Sequence, residues 1–137
     1  MKLDEFKIKA ILLGFIVNLT GTYLSTGLLV LGYFSVKGIS TDNFNEVYSD
    51  HLILGILLIT GLAWSMLGGY ICARTAKKSE YFNAAFIGVI GLAMSSYSFA
   101  TGDPSPIWYK LVALIAEIPI TLLGVKLARL KREEPVK

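Results

Sequence analysis

Glu117 is the residue whose type and position most clearly suggest chemistry in this chain of 137 amino acids. It lies in the middle of an apolar segment, where a charged group costs about 2.5–3.5 kcal/mol on insertion scales. Such a carboxyl could bind a proton or a cation in a transporter or channel. Alternatively, a neutral acid could hydrogen-bond two helices together or contact a partner subunit. We favour the structural role, because the apolar segments hold no basic or second acidic partner for Glu117.

Polar side chains in the other apolar segments could surround this carboxyl. We predict an intramembrane polar site made of Glu117, Asn18, Thr121 and Ser95, and Asn18 is more typical of contacts between helices than of substrate binding. Pro119 has no amide donor, so it should free the carbonyl of Ile115 nearby. Further candidate partners of Glu117 are hydroxyl side chains on three segments, namely Thr20, Thr22, Thr60, Ser65 and Ser96.

The remaining residues offer no recognisable catalytic or metal-binding set. His51 is the single histidine and stands beside Asp50 at the start of an apolar segment, so alone it builds neither a metal site nor a haem site. Cys72 is the single cysteine, which excludes an internal disulfide and a C-x-x-C redox pair. We therefore expect no enzyme activity, no cofactor and no metal.

The elements that must position these residues are membrane spans. The chain is 54% hydrophobic and 17% charged, whereas soluble domains average about 45–50% and 25%. No Asp, Glu, Lys or Arg occurs in 10–36, 51–73 or 81–102, and each run matches the roughly 20 residues that cross a bilayer. We predict one transmembrane domain over residues 1–137, with spans at about 8–34, 52–73, 81–100 and 107–130. A water-soluble globule is excluded.

Charge distribution predicts the orientation of these spans. In the four-span arrangement eleven Lys and Arg residues fall on one side and two, Lys37 and Lys110, on the other. The positive-inside rule then places both termini in the cytoplasm, in a multi-pass protein of the cell membrane. The basic side suits anionic lipid headgroups, and nothing in the pattern indicates nucleic acid. The eleven are Lys2, Lys7, Lys9, Arg74, Lys77, Lys78, Lys126, Arg129, Lys131, Arg132 and Lys137.

Small residues recur at steps of three and four along every span. Because helices in lipid associate where small side chains let their backbones approach, these stripes predict an all-α, close-packed four-helix bundle. Some stripes could instead face a second subunit. The glycines predicted to pack helices are Gly14, Gly21, Gly61, Gly69, Gly88, Gly91 and Gly124. In the loop between the first two spans, apolar residues within 44–48 could form a short interfacial helix.

Two segments of the chain resemble each other. Residues 67–74 (LGGYICAR) and 122–129 (LLGVKLAR) share the pattern G-x-x-x-A-R at the end of a span. This could reflect a parallel duplication of a helical hairpin, or it could be common to helices that end at the basic side. The stretch GGYICAR at 68–74, with the short basic turn after it, also resembles a G-G-Y-x-x-A-R pattern of small bacterial four-span membrane proteins. That resemblance implies a bacterial cytoplasmic membrane and lends no activity.

Two functions fit these observations. The first is a small membrane protein that acts through intramembrane contacts, as an accessory or assembly subunit or as a homo-oligomer. It follows from the packing stripes, the short loops and the missing catalytic set. The second is a minimal proton- or cation-coupled transporter or channel that uses Glu117.

Overall fold

The computed structural model describes residues 7–41 and 43–133, and it is helical throughout apart from short connections. Four helices are long and apolar enough to cross a membrane, so the prediction of an all-α four-helix bundle is confirmed. Lys2 and Lys137, which enter the charge pattern, lie outside the described residues. The elements are α1 (Ile8–Lys37), α2 (Phe44–Ser49), α3 (His51–Ala76), α4 (Glu80–Ala100) and α5 (Ile107–Glu133).

Three of the long helices extend three residues beyond the predicted ends of their spans, because an α-helix need not stop where the chain leaves the hydrocarbon. α1 continues until Gly38, whose left-handed backbone (φ 65°) lets its amide donate to the carbonyl of Phe34. α3 ends in the same way at Lys77, with φ 58°. Asp50 starts α3, since its carboxylate accepts hydrogen bonds from the amides of Leu52 and Ile53.

The five helices run up and down, and α3 packs against all the others in the described chain. Its largest contacts are with α1 and α5 on opposite sides, while α4 lies mainly against α5 and α3. We call the end at which α1 and α4 begin the basic end, and the end that carries α2 the α2 end. The predicted interfacial helix is α2, and its Val47 is buried beneath α1 and α3.

Two apolar clusters stabilise the bundle. Near the basic end, small and branched side chains of all four long helices meet around Cys72, Ala73, Ala84, Ile87 and Val125. Near the α2 end, Phe34, Val47, Ile53 and Leu57 join only α1, α2 and α3. Large apolar side chains point outward along every long helix, including Leu28, Ile59, Val89 and Ile115. This distribution suits a protein whose solvent is lipid.

Glycines bring the helix backbones into direct contact at two crossings. A Cβ added to Gly69 or to Gly124 would collide with the backbone of the opposite helix, at Thr121 and at Met66 respectively, so α3 and α5 touch without intervening side chains. Gly14 of α1 meets Gly68 of α3 in the same way. These contacts fix the distance between the helices that carry the polar residues.

Candidate intramembrane polar site

Glu117 lies near the middle of the apolar part of α5, ten residues after Ile107, or about 15 Å along the helix axis. Its carboxyl points toward α3 and not away from the bundle. The hydroxyl of Ser65 lies 3.0 Å from Oε1 and 3.1 Å from Oε2 of this carboxyl. Ser65 is 3% exposed, so the hydrogen bond is made inside the bundle.

Asn18 adds α1 to the same cluster. Its Oδ1 lies 3.4 Å from the hydroxyl of Ser65 and accepts a hydrogen bond of 3.3 Å from the hydroxyl of Thr22. Ser65 thus lies between the side chain of Asn18 and the carboxyl of Glu117. Asn18 is 8% exposed. The three side chains therefore link α1, α3 and α5 at one depth, and we call Asn18, Ser65 and Glu117 the polar cluster.

The fourth long helix contributes a glycine to this cluster and no polar side chain. A Cβ added to Gly91 of α4 would overlap Oε1 of Glu117, so a larger residue there would require the carboxyl to move. Ser95 lies one turn further toward the α2 end and is half-buried. Among the described residues it has no hydrogen bond to the polar cluster, because Gly91 and not Ser95 is level with the carboxyl.

Thr121 was predicted to belong to the polar site, but its hydroxyl hydrogen-bonds backbone and not the carboxyl of Glu117. Its hydroxyl donates a 2.8 Å hydrogen bond to the backbone carbonyl of Glu117, one turn earlier in α5. The side chain is fully buried, and its backbone contacts Gly69. Thr121 therefore belongs to the crossing of α3 and α5, and its proton is not available to the carboxyl.

The predicted packing glycines differ in how closely they pack. Gly14, Gly21, Gly69, Gly88 and Gly124 are buried, and an added Cβ at each would meet another helix. Gly61 is half-buried, and the nearest atom to its added Cβ is the methyl of Thr22 at 3.9 Å, so no close approach requires glycine there. Gly68 also packs closely, against Gly14 of α1, as the Gly68–Gly69 pair in the sequence suggests.

The sequence alone indicates Ser65 only as one of several candidate partners of Glu117. Ser65 shares a stripe with Gly61, Gly69 and Ala73, which orients it inward, but hydroxyls on three segments were equally available. The choice depends on helix rotation and depth, which hydropathy does not determine. Pro119 leaves α5 as one continuous helix, although it cannot donate to the carbonyl of Ile115.

The charge state of the cluster follows from its surroundings. In residues 7–41 and 43–133 Glu117 forms no ion pair, and the three salt bridges all lie at the helix ends. No buried side-chain oxygen or nitrogen in this part of the chain lacks a hydrogen-bond partner. A neutral acid suits such a setting, because its hydroxyl can donate to Ser65 or Asn18 without the cost of a charge in hydrocarbon.

No protein-family model, curated protein or solved structure gives a significant match to this chain.

Proposed function

We propose that this chain is a small multi-pass membrane protein that acts through contacts within the membrane, either with other membrane proteins or with copies of itself. The supporting observation is that the inner surfaces of the helices are occupied by contacts with one another. Glu117 is hydrogen-bonded by Ser65, which also lies 3.4 Å from Oδ1 of Asn18 in the same chain, and the backbones of α3 and α5 touch at Gly69 and Gly124. The inner surfaces of the bundle thus serve its own packing, which leaves its outer surfaces for function.

The half of α1 nearer the α2 end carries the surface on which we expect a partner to bind. Gly27 and Gly32 have no atom of the described chain within 4 Å of an added Cβ, although glycine gives a lipid-facing helix no packing advantage. Leu24, Leu28 and Leu31 beside them are 58–71% exposed. Gly27 and Gly32 lie about 140° apart around the helix, on either side of these leucines. A helix of another chain could pack on the leucines with the small residues at its edges.

Purification from the native membrane in a mild detergent tests this proposal. We expect a species larger than the 15.0 kDa monomer, containing either a second membrane protein or additional copies of the chain. Gly27→Leu and Gly32→Leu should release the partner without unfolding the monomer, since both positions have open space. Ala93→Leu, at an exposed position of α4, is the matched control and should retain the partner. A wild-type monomer without any partner would contradict the proposal.

Proton- or cation-coupled transport is the second candidate, and one observation favours it. Glu117 is only half-buried, unlike Ser65 and Asn18, so the residue is not fully enclosed by protein. A protonatable group at mid-depth with hydroxyl and amide partners can bind and release a proton. The two described pockets, however, lie at the two ends of the bundle and not beside Glu117.

Reconstituted vesicles distinguish the two candidates. Wild-type protein and Glu117→Gln are compared with protein-free vesicles after an imposed pH gradient, with a pH-sensitive dye inside. Intramembrane contact function predicts the same slow proton leak in all three. Faster flux with the wild type that is lost in Glu117→Gln would establish transport. Equal and rapid flux in both proteins would exclude Glu117 as the coupling residue.

A further inference from the structure

A pocket of about 630 Å³ opens at the basic end of the bundle, between the turn that joins α3 to α4 and the last turns of α5. Its charged lining residues are Lys77, Lys78, Glu80, Arg129, Arg132 and Glu133. None of them belongs to the polar cluster, and Arg129, the lining residue of α5 nearest to Glu117 in the chain, lies about 18 Å further along the helix axis. It is therefore independent of both functions proposed above.

The arginines of this pocket are held in place by a single carboxylate. Nη1 of Arg132 lies 2.5 Å from Oε1 of Glu80, and Nε of Arg129 lies 3.7 Å from Oε2. Arg132 also donates a 2.8 Å hydrogen bond from Nη2 to the carbonyl of Ala73 near the end of α3. One carboxylate cannot neutralise two guanidinium groups, so this arrangement keeps a positive charge at a fixed position.

The two lysines add charge that the described chain does not neutralise. Lys77 and Lys78 lie in the turn before α4, both are exposed, and neither forms an ion pair in residues 7–41 and 43–133. Glu133 is the remaining charged residue of the lining. Four cations against two carboxylates give the pocket a formal net charge of +2. The pocket is therefore suited to an anion.

Its position relative to the apolar surface indicates which kind of anion. The ring of Tyr81 is 41% exposed and lies 5.6 Å from the guanidinium carbon of Arg129, so the cations adjoin an aromatic ring in the first turn of a spanning helix. Leu127 and Leu130 of α5 are 41% and 50% exposed on the adjoining turns. A tyrosine at the start of a span is typical of the headgroup level of the bilayer. The cations lie at the end of the bundle and the apolar side chains on the adjoining turns, which matches the headgroup and the acyl chains of a phospholipid.

We propose that this pocket binds the phosphate group of an anionic phospholipid headgroup. Lys77 and Lys78 are free to contact the phosphate oxygens, while Arg129 and Arg132 supply a fixed positive charge beside them. Free phosphate shares this chemistry, but it would gain nothing from the exposed ring of Tyr81 and the leucines. The first-turn amides of α4, which the side chain of Ser79 does not cap, can add donors, although the site does not depend on them.

Native mass spectrometry of the full chain in detergent tests the site. The probes are phosphatidylglycerol, phosphatidylcholine with the same acyl chains, and inorganic phosphate. We expect one phosphatidylglycerol to bind in preference to phosphatidylcholine, and inorganic phosphate not to displace it at equal concentration. Lys77→Gln with Lys78→Gln should weaken phosphatidylglycerol binding by about 30-fold, from about 1 kcal/mol for each basic residue near the surface.

Lys126→Gln with Lys131→Gln is the matched control. It removes the same charge from the basic end, but neither lysine lines the pocket. We expect it to bind phosphatidylglycerol within about threefold of the wild type, since the contacts that it removes are outside the site. Equal weakening by both pairs would show that only the overall charge matters and would overturn the site.

Two further measurements complete the test. The thermal unfolding of each variant without lipid should match that of the wild type, and if the double variant unfolds, Lys78→Gln alone should weaken binding about fivefold. Binding of inorganic phosphate without binding of phosphatidylglycerol would overturn the assignment to a lipid. Equal binding of phosphatidylglycerol and phosphatidylcholine would overturn the requirement for an anion.

Discussion

Among the single residues, Ser65 and Glu117 form the contact that most directly ties two spanning helices together. Hydrogen bonds between helices in membranes contribute about 0.6 kcal/mol on average, and up to about 1.7 kcal/mol. The contact of Ser65 belongs above the average of this range, because its buried hydroxyl lies within hydrogen-bonding distance of both carboxyl oxygens. Its loss would leave a half-buried acid with fewer partners.

We expect Ser65→Ala to lower the free energy of unfolding by about 1 kcal/mol, measured in mixed detergent micelles. Ser95→Ala is the control and should cost less than about 0.5 kcal/mol, since its hydroxyl lies outside the polar cluster. Combined with Glu117→Leu, the effect of Ser65→Ala should shrink, because replacing both partners leaves no acid unsatisfied. Strictly additive effects would mean that the two side chains do not interact.

Asp50 is a second residue with several stabilising contacts, at the junction of α2 and α3. Its carboxylate accepts hydrogen bonds from the amides of Leu52 and Ile53 and from the hydroxyl of Tyr33, and Lys37 lies 4.0 Å away. These contacts, led by the hydrogen bond from Leu52, hold the pKa of Asp50 below its ordinary value of 3.8. A lowered pKa means that the folded state favours the charged form.

The stability contributed by Asp50 should therefore be present above pH 3.8 and be lost as the pH falls through the lowered pKa of the folded state. Thermal unfolding between pH 7 and pH 3 should show this acid-side decline in the wild type. Asp50→Asn still offers an oxygen to the two amides but has no proton to gain, so its decline should be smaller. Identical pH profiles for both proteins would argue against the role.

At the scale of the elements, close approach of α3 to α5 determines where the polar cluster forms. Gly69 of α3 contacts the backbone of Thr121, and Gly124 of α5 contacts the backbone of Met66. Gly91 of α4 leaves space for the carboxyl of Glu117. A larger residue at Gly69 or Gly124 would push a helix outward by part of a side-chain diameter, whereas one at Gly91 would displace the carboxyl of Glu117. The hydrogen bonds of Ser65 would then lengthen with the helix spacing.

Gly69→Ala should destabilise the bundle by about 1–3 kcal/mol, because its Cβ would collide with backbone that cannot move independently of α5. Gly55→Ala in the same helix is the matched control, since nothing lies within 4 Å of its added Cβ. We expect no loss of stability in the control. Unfolding in mixed micelles measures both, and equal stability of the two variants would refute backbone contact at Gly69.

For the whole molecule, the two ends of the bundle differ in charge and in structure. The basic end carries the pocket lined by Lys77 and Lys78, and the α2 end carries the buried Val47 and the capped start of α3. The two ends therefore offer different surfaces to the two sides of the bilayer. A protein that inserted both ways would lack this asymmetry of basic residues.

The positive-inside rule makes a prediction about labelling in intact cells. Thr101→Cys, in the loop after α4, should react with a membrane-impermeant maleimide added outside, because this loop lies on the side that is poor in basic residues. Lys78→Cys should react only after the membrane is permeabilised. Cys72 is fully buried and should not contribute to the signal. The reverse pattern of labelling would place the termini outside.

Helix existence and length could be predicted from the sequence because hydrocarbon leaves a spanning backbone no other way to satisfy its amides. The stripe of Gly14, Asn18 and Gly21 likewise predicted an inward face for α1. Which side chain hydrogen-bonds Glu117 could not be predicted in this way. Ser65 and Ser95 stand on comparable stripes, and hydropathy gives them equal weight, yet only Ser65 lies level with the carboxyl of Glu117.

What the sequence alone determined is thus the all-α class, the number of spans and the faces that turn inward, since each follows from the local demand for apolar length and small side chains. The tertiary structure decided which helices are neighbours, that Gly91 and not Ser95 faces Glu117, and that four cations converge beside Glu80. These features depend on the rotation and axial shift of whole helices. Contacts between residues far apart in the chain set those quantities, and no local pattern encodes them.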